Sequence, residues 1–125
     1  RRGVGHVAIV SSLAGYGGLP GASAYGASKA ALINLTESLR PELAEAGIKL
    51  QLINPGFVRT PLTDKNDFEM PFLMEADRAV NALYNGLLGN RFEITFPRRF
   101  ALLMKLLQLM PYRLYFRITR RLLGN

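Results

Sequence analysis

"HVAIVSS", residues 6–12, is a short β-branched apolar run closed by two serines. That pattern predicts a strand buried on both faces, as in a parallel sheet. "LAGYGGLPG" (13–21) after it reads as Gly- and Pro-rich loop. "SAYGASKAALINLTESL" (23–39) then has helical spacing, with Ser23 as N-cap and Ala27, Ala31, Leu32, Leu35 and Leu39 as the apolar stripe. The helix runs on into "RPELAEAG", where Gly47 is the stop and Pro41 either kinks it or starts a new turn. "IKLQLINPG" (48–56) predicts a second strand. Residues 74–90 predict a second helix with Ala79, Leu83, Leu87 and Leu88 inward, and "FEITF" (92–96) a third strand stopped by Pro97. Strand, helix, strand, helix, strand is the order of an α/β fold with a parallel sheet and crossover helices. Ligands in such sheets bind beyond the carboxyl ends of the strands, where Ser11, Ser12, Asn54, Pro55 and Gly56 fall. Three strands make a thin sheet whose first strand leaves an apolar edge exposed.

The 125 residues are the size of one small domain, and 49% hydrophobic content is ample for a packed core. With no cysteine, disulfides, thiolate metal sites and cysteine nucleophiles are excluded, which fits a reducing, cytoplasmic setting. His6 has no second histidine to share a metal, so no metal site is expected. No signal peptide and no run of 18 apolar residues is visible. The chain opens on Arg1 and runs straight into a strand, as if it begins inside a longer polypeptide. The net charge of +7 is unevenly placed: residues 98–125 hold seven basic groups and no acid, and residues 1–97 are balanced. No basic stripe therefore crosses the globular part, and nucleic acid is not an expected partner.

Tyr25 and Lys29 stand four apart, on one helix face. A lysine cation near a phenol favours the phenolate, and a helix N-terminus acts in the same direction. A tyrosine tuned in this way can exchange a proton with an alcohol or carbonyl oxygen that a serine hydroxyl holds in place. Such a site moves a proton and needs a cofactor for the hydride. By itself, Tyr-x-x-x-Lys fits a solvated surface helix as well as a site.

The combination "IVSSLAG…SAYGASKAAL…LQLINPGFVRTPL" resembles the C-terminal half of a classical short-chain dehydrogenase/reductase over roughly residues 4 to 97. Ser12 lies thirteen residues before Tyr25, and Asn54-Pro55-Gly56-Phe57-Val58-Arg59-Thr60 follows the next strand. The resemblance implies half of a doubly wound, Rossmann-like parallel sheet over residues 1–97, with a helical tail at 98–125. It implies an NAD(P)-dependent oxidoreductase interconverting a carbonyl and an alcohol. Tyr25 would be the general acid/base, Lys29 would lower its pKa and bind the nicotinamide ribose, and Ser12 would orient the substrate oxygen. Pro55 and Gly56 would wall the nicotinamide, with Val58 and Thr60 near its carboxamide. The cofactor expected is NAD or NADP, with NADP favoured, and a second copy of the chain is among the expected partners. The family's glycine-rich pyrophosphate loop and its NAD/NADP-selecting residue belong upstream of Arg1. "GYGGLPG" does not replace that loop, because testing Gly-x-Gly-x-x-Gly from Gly15 puts Pro20 at the third glycine. The 125 residues alone are therefore expected to be inactive.

The tail, "PRRFALLMKLLQLMPYRLYFRITRRLLGN", has two apolar helical stretches parted by Pro111, with Phe100, Leu103, Leu107 and Met110 on one face of the first. Apolar positions interleaved with arginines resemble an interfacial helix pair on an anionic membrane surface. The same pattern fits an element that closes the substrate pocket or packs on another subunit, with arginines at the rim. The rival to the enzyme reading is a truncated, non-catalytic module of the same family that binds a membrane surface or a protein partner through this basic tail. "DKNDFEMPFLME" (64–75) has the position of a substrate lid, and Phe68, Met70, Phe72 and Leu73 suggest an apolar or lipid-like substrate.

Overall fold

The computed structural model describes residues 4–59 and 72–123. Strand β1 (Gly5–Val10) leads through a 3-10 turn (Leu13–Gly15) and a loop into helix α1 (Ser23–Glu45). Strand β2 (Ile48–Pro55), helix α2 (Ala76–Leu88), strand β3 (Glu93–Phe96) and helices α3 (Arg98–Gln108) and α4 (Tyr112–Thr119) follow. The three strands form one parallel sheet in the order β1-β2-β3, with Gly5 opposite Ile48 and Leu52 opposite Glu93. The α/β alternation and parallel pairing read from the sequence are thus the architecture of the chain.

Burial follows from position in the sheet. Central β2 is covered on both faces: Leu50, Leu52 and Asn54 face one side, and Gln51 and Ile53 the other, all buried. β1, expected to be buried on both faces, is not. Val7 and Val10 are 42% and 54% exposed, because β1 is an edge strand with one paired side.

Helix α1 starts one residue earlier than expected. Ser23 is already helical, and Ala22 is the N-cap without a side-chain hydrogen bond. The turn from Leu19 to Ala22, with Gly21 at φ +78°, brings Ala22 rather than Ser23 to the boundary. The inner stripe is also rotated: Leu32, Ile33, Thr36 and Leu39 face inward, while Ala27, Ala31 and Leu35 are exposed. Thr36 is fully buried, because its Oγ1 donates to the Leu32 carbonyl within the helix. The helix runs unbroken through Pro41. It ends at Gly47, whose φ of +78° is the left-handed conformation that terminates helices.

On α2, Ala79, Leu83 and Leu87 pack on Ile53, Ile94 and Phe96, but Leu88 is 67% exposed because the helix ends there. The second cluster joins the tail to the loop after β1. Leu13 and Tyr16 pack with Phe100, Ala101, Met104 and Leu107 of α3 and Tyr115 of α4. The buried face of α3 is therefore Phe100, Ala101, Met104 and Leu107, and Leu103, expected inward, is 44% exposed. Packing against both Leu13 and Tyr16 rotates the helix by one position. Among the described residues no helix is long and apolar enough to cross a membrane.

Candidate active site

The site is built where β1 and β2 end. Ser11 continues the β-ladder, its N–H donating to the Ile53 carbonyl at 2.7 Å, and its hydroxyl donates to the Lys29 carbonyl at 2.7 Å. Ser12 caps the 3-10 turn: its Oγ accepts from the Ala14 N–H at 3.1 Å and donates to the Pro55 carbonyl at 3.5 Å. The second contact is long enough for the hydroxyl to turn toward another oxygen. Ser12 and Pro55, 43 residues apart, are thus brought together.

Close backbone approach ties this turn to α1. A Cβ on Gly15 would lie 2.8 Å from Ile33 Cδ1 and 2.9 Å from the Lys29 backbone carbon, so no larger residue fits without movement. The turn that begins at Ser12 is thereby seated on the first turns of α1, which carry Tyr25 and Lys29. Lys29 Nζ lies 5.4 Å from the Tyr25 ring centroid. Tyr25 is 55% exposed. Among the described residues neither its hydroxyl nor the Lys29 ammonium has a hydrogen-bond or ion-pair partner. Both groups are therefore open to a ligand.

Gly56 continues β2, its N–H donating to the Phe96 carbonyl at 2.8 Å. A Cβ there would meet Phe100 Cδ2 at 2.8 Å, so the α3 ring lies directly on this glycine. Phe57 and Phe72 both stack on Phe100, with centroids 6.0 and 5.6 Å apart. Phe72 has φ 57°, a left-handed conformation that costs a bulky residue about 1–2 kcal/mol. Val58 bridges to Met74 and packs toward α2. Thr60, Phe68 and Met70 lie outside the described residues.

A second polar cluster was not legible in the sequence. Glu93, at the start of β3, accepts from Asn54 Nδ2 at 2.8 Å, from Lys105 Nζ at 2.5 Å and from the Tyr16 hydroxyl. Burial pushes the Glu93 carboxyl up, but the hydrogen bonds from Lys105, Tyr16 and Asn54 and the Lys105 charge outweigh it, and the net result lies below the ordinary carboxylate value. Tyr16 is raised well above the usual phenol, first by burial and then by its bond to Glu93 and that charge. Asn54 is fully buried. Tyr115 of α4 donates to the Gly18 carbonyl, so the tail also holds the loop after Ser12. Tyr16 and Glu93 are 77 residues apart, and only Asn54, at a strand end, carried any local signal.

The comparisons with known proteins give the family of the chain. Residues 1–70 match the short chain dehydrogenase family, and the chain belongs to that family. It is 43% identical over 118 residues to an uncharacterized oxidoreductase of Myxococcus xanthus, covering 94% of this chain and 47% of that protein. A short chain dehydrogenase from Burkholderia cenocepacia, in complex with NADP, superposes with a TM-score of 0.74 at 24% identity, over 90% of this chain and 46% of that one. A short-chain dehydrogenase from Sphingobium yanoikuyae, in complex with NADPH, gives 0.65 at 29% identity, over 74% and 37%. The chain spans less than half the length of the curated relatives it matches.

Proposed function

We propose that this chain carries the proton-transfer half of an NAD(P)-dependent oxidoreductase that interconverts a carbonyl and an alcohol. The observation that carries the reading is the Tyr25–Lys29 pair, open and unpartnered, with the Ser12 turn seated on the same helix through Gly15. Tyr25 gives a proton to the substrate oxygen in reduction and takes it back in oxidation. Ser12 holds that oxygen with its hydroxyl. Lys29 supplies positive charge one helical turn from the phenol and a donor for the ribose of a nicotinamide cofactor.

The residues present fit that end of the cofactor: two unpartnered donors lie near strand ends closed by Pro55 and Gly56, with Val58 and Thr60 next along the chain. The nicotinamide supplies or accepts the hydride when bound. NADPH in the Sphingobium relative supports the phosphorylated form. The half of the site that grips the pyrophosphate belongs to the part of the relatives that this chain does not span. In the whole protein, Tyr25→Phe lowers turnover about 10²–10⁴-fold and leaves NADPH affinity intact. Near-normal turnover in that variant would remove Tyr25 from the reaction.

A second reading concerns the outer face of the tail. Leu102, Leu106 and Leu109 on α3 and its C-cap are 62%, 49% and 82% exposed at helical steps, and Tyr112 and Phe116 on α4 are 78% and 60% exposed. Tyr112 and Phe116 stack on each other, and Arg113 and Arg117 flank them. The inner face of the tail packs on Leu13 and Tyr16, and these exposed apolar side chains beside arginines match an anionic membrane surface. Binding to phosphatidylserine vesicles that weakens with salt is the expected result. Equal binding to neutral vesicles, or none, rules the reading out.

A further inference from the structure

The loop that joins Ser12 to the helix of Tyr25 is poor in side chains that could hold it. Gly15, Gly17 and Gly18 fall within residues 15–18, and glycine loses more backbone freedom on folding than any other residue. Gly15 is fixed by its seat on α1. Gly17 and Gly18 have no side chain to pack, and nothing lies within 4 Å of where a Cβ on Gly18 would stand. Among the described residues the hydrogen bond to this pair comes from the tail, where the Tyr115 hydroxyl donates to the Gly18 carbonyl across 97 residues of chain.

Tyr115 is built into this place. It is buried, while Tyr112 and Phe116 on the same helix are exposed, and it packs with Leu13 and Tyr16 of the same segment. A Cβ on Gly17 would lie 2.6 Å from the Tyr115 hydroxyl oxygen and 3.3 Å from Cζ, so the tip of the ring fills the room a larger residue would need. The bend is thus gripped on two sides, at Gly15 by α1 and at Gly17 and Gly18 by α4. Tyr16 between them keeps its ring in the core with or without its hydroxyl bond. A glycine released by Tyr115 has no such second hold.

Ser12 opens this same turn. Its carbonyl accepts from the Gly15 N–H at 3.0 Å and its Oγ from the Ala14 N–H at 3.1 Å, so looseness at Gly17 and Gly18 acts on the serine through a few peptide units. We infer that Tyr115 is a positioning residue of the proposed reaction: by pinning Gly17 and Gly18 it keeps the Ser12 turn against α1, so that the Ser12 hydroxyl and the Tyr25 phenol meet one substrate oxygen. This rests on the oxidoreductase reading for what the serine does, while the pin itself stands on the contact.

Tyr115→Phe removes the hydroxyl and keeps the ring, and amide exchange followed by NMR on the whole protein reads the result at Ala14, whose N–H is held by Ser12 Oγ. Exchange at Ala14 is expected to rise about five-fold, with the Leu52 amide of β2 unchanged. Gly17→Ala, which drives a Cβ against the same hydroxyl, should reproduce this. With NADPH and decanal as probes, Tyr115→Phe should lower kcat by about the same factor and leave KM for NADPH alone. In a Ser12→Ala background it should add no further loss, whereas a general loosening of the fold would act in both backgrounds. Unchanged exchange at Ala14 in either variant, equal acceleration at Leu52, or a full further loss in the Ser12→Ala background would each overturn the inference. Normal turnover in Ser12→Ala alone removes the serine from the reaction and the positioning role with it. No turnover of decanal by the unaltered protein counts against the oxidoreductase reading only, and exchange at Ala14 then decides the pin.

Discussion

Two tyrosines in this molecule each have a lysine over the ring, and they stand in opposite surroundings. Lys29 Nζ lies 5.4 Å from the Tyr25 centroid, and Lys105 Nζ lies 5.7 Å from that of Tyr16. Tyr25 is 55% exposed and unpartnered, whereas Tyr16 is 8% exposed and donates to Glu93. Burial first, and then a carboxylate that also takes up the lysine charge, makes the phenol of the second pair hold its proton more tightly. The lysine alone therefore does not make a reactive tyrosine. What the ring can do depends on whether another group has already claimed both partners.

The largest expected effect tests that difference directly. Tyr25→Phe in the whole protein should lower turnover about 10²–10⁴-fold with an unchanged melting temperature. Tyr16→Phe should show the reverse, with turnover retained and a stability loss of about 1 kcal/mol from one hydrogen bond. Equal effects of the two variants on turnover would erase the contrast.

Next in size is the anchor of the second pair. Glu93→Ala strips an acceptor from the Tyr16 hydroxyl and from Asn54 Nδ2, and unmatched buried donors cost about 1–3 kcal/mol each. Denaturant unfolding should show a loss of about 2–4 kcal/mol. A loss within error would mean that water replaces the carboxylate freely.

The same cluster sets a pH window. Because the folded Glu93 titrates below the unfolded value near about 4.3, its contribution is complete above that pH and fades as pH falls through the lower folded value. Because Tyr16 is raised, its contribution is complete below the unfolded phenol value of about 10 and fades as pH climbs toward the folded one. Thermal melts from pH 2 to 11 should show both shoulders, and Tyr16→Phe should flatten the alkaline one.

The smallest of these effects concerns how the Ser12 turn is seated. Gly15→Ala forces a Cβ against Ile33 and the Lys29 backbone and should cost about 1–2 kcal/mol. Turnover should fall with it, since Ser12 shifts away from Tyr25. If stability falls while turnover does not, the turn does not position the serine.

Local physics made much of this molecule readable in advance. The alternation of apolar runs and helical stretches specified a parallel α/β sheet, because each strand needs covering and each crossover needs a helix. The four-residue step from Tyr25 to Lys29 placed them on one face, since helix geometry is independent of what surrounds it. Gly47 as a helix stop and Pro55-Gly56 as a strand end were visible for the same reason. The apolar run of β1 suggested burial on both faces while the three-strand sheet placed its edge in the open, and the structure follows the second reading, because an apolar run reports what a strand prefers to meet and says nothing of whether a neighbour is there. The inner faces of α1 and α3 were off by a position or more, because Thr36, Ile33, Phe100 and Met104 are chosen by the surfaces they meet.

What the sequence determined by itself was therefore the order and type of the elements and the Tyr25–Lys29 pair, all set by interactions within a few residues. Only the tertiary structure decided that Tyr16, Asn54, Glu93 and Lys105 form one cluster, that Phe100 lies on Gly56, and that Tyr115 lies against Gly17. Those groups are distant in the chain, and their meeting depends on how the tail folds back over the strand ends, which no local preference encodes.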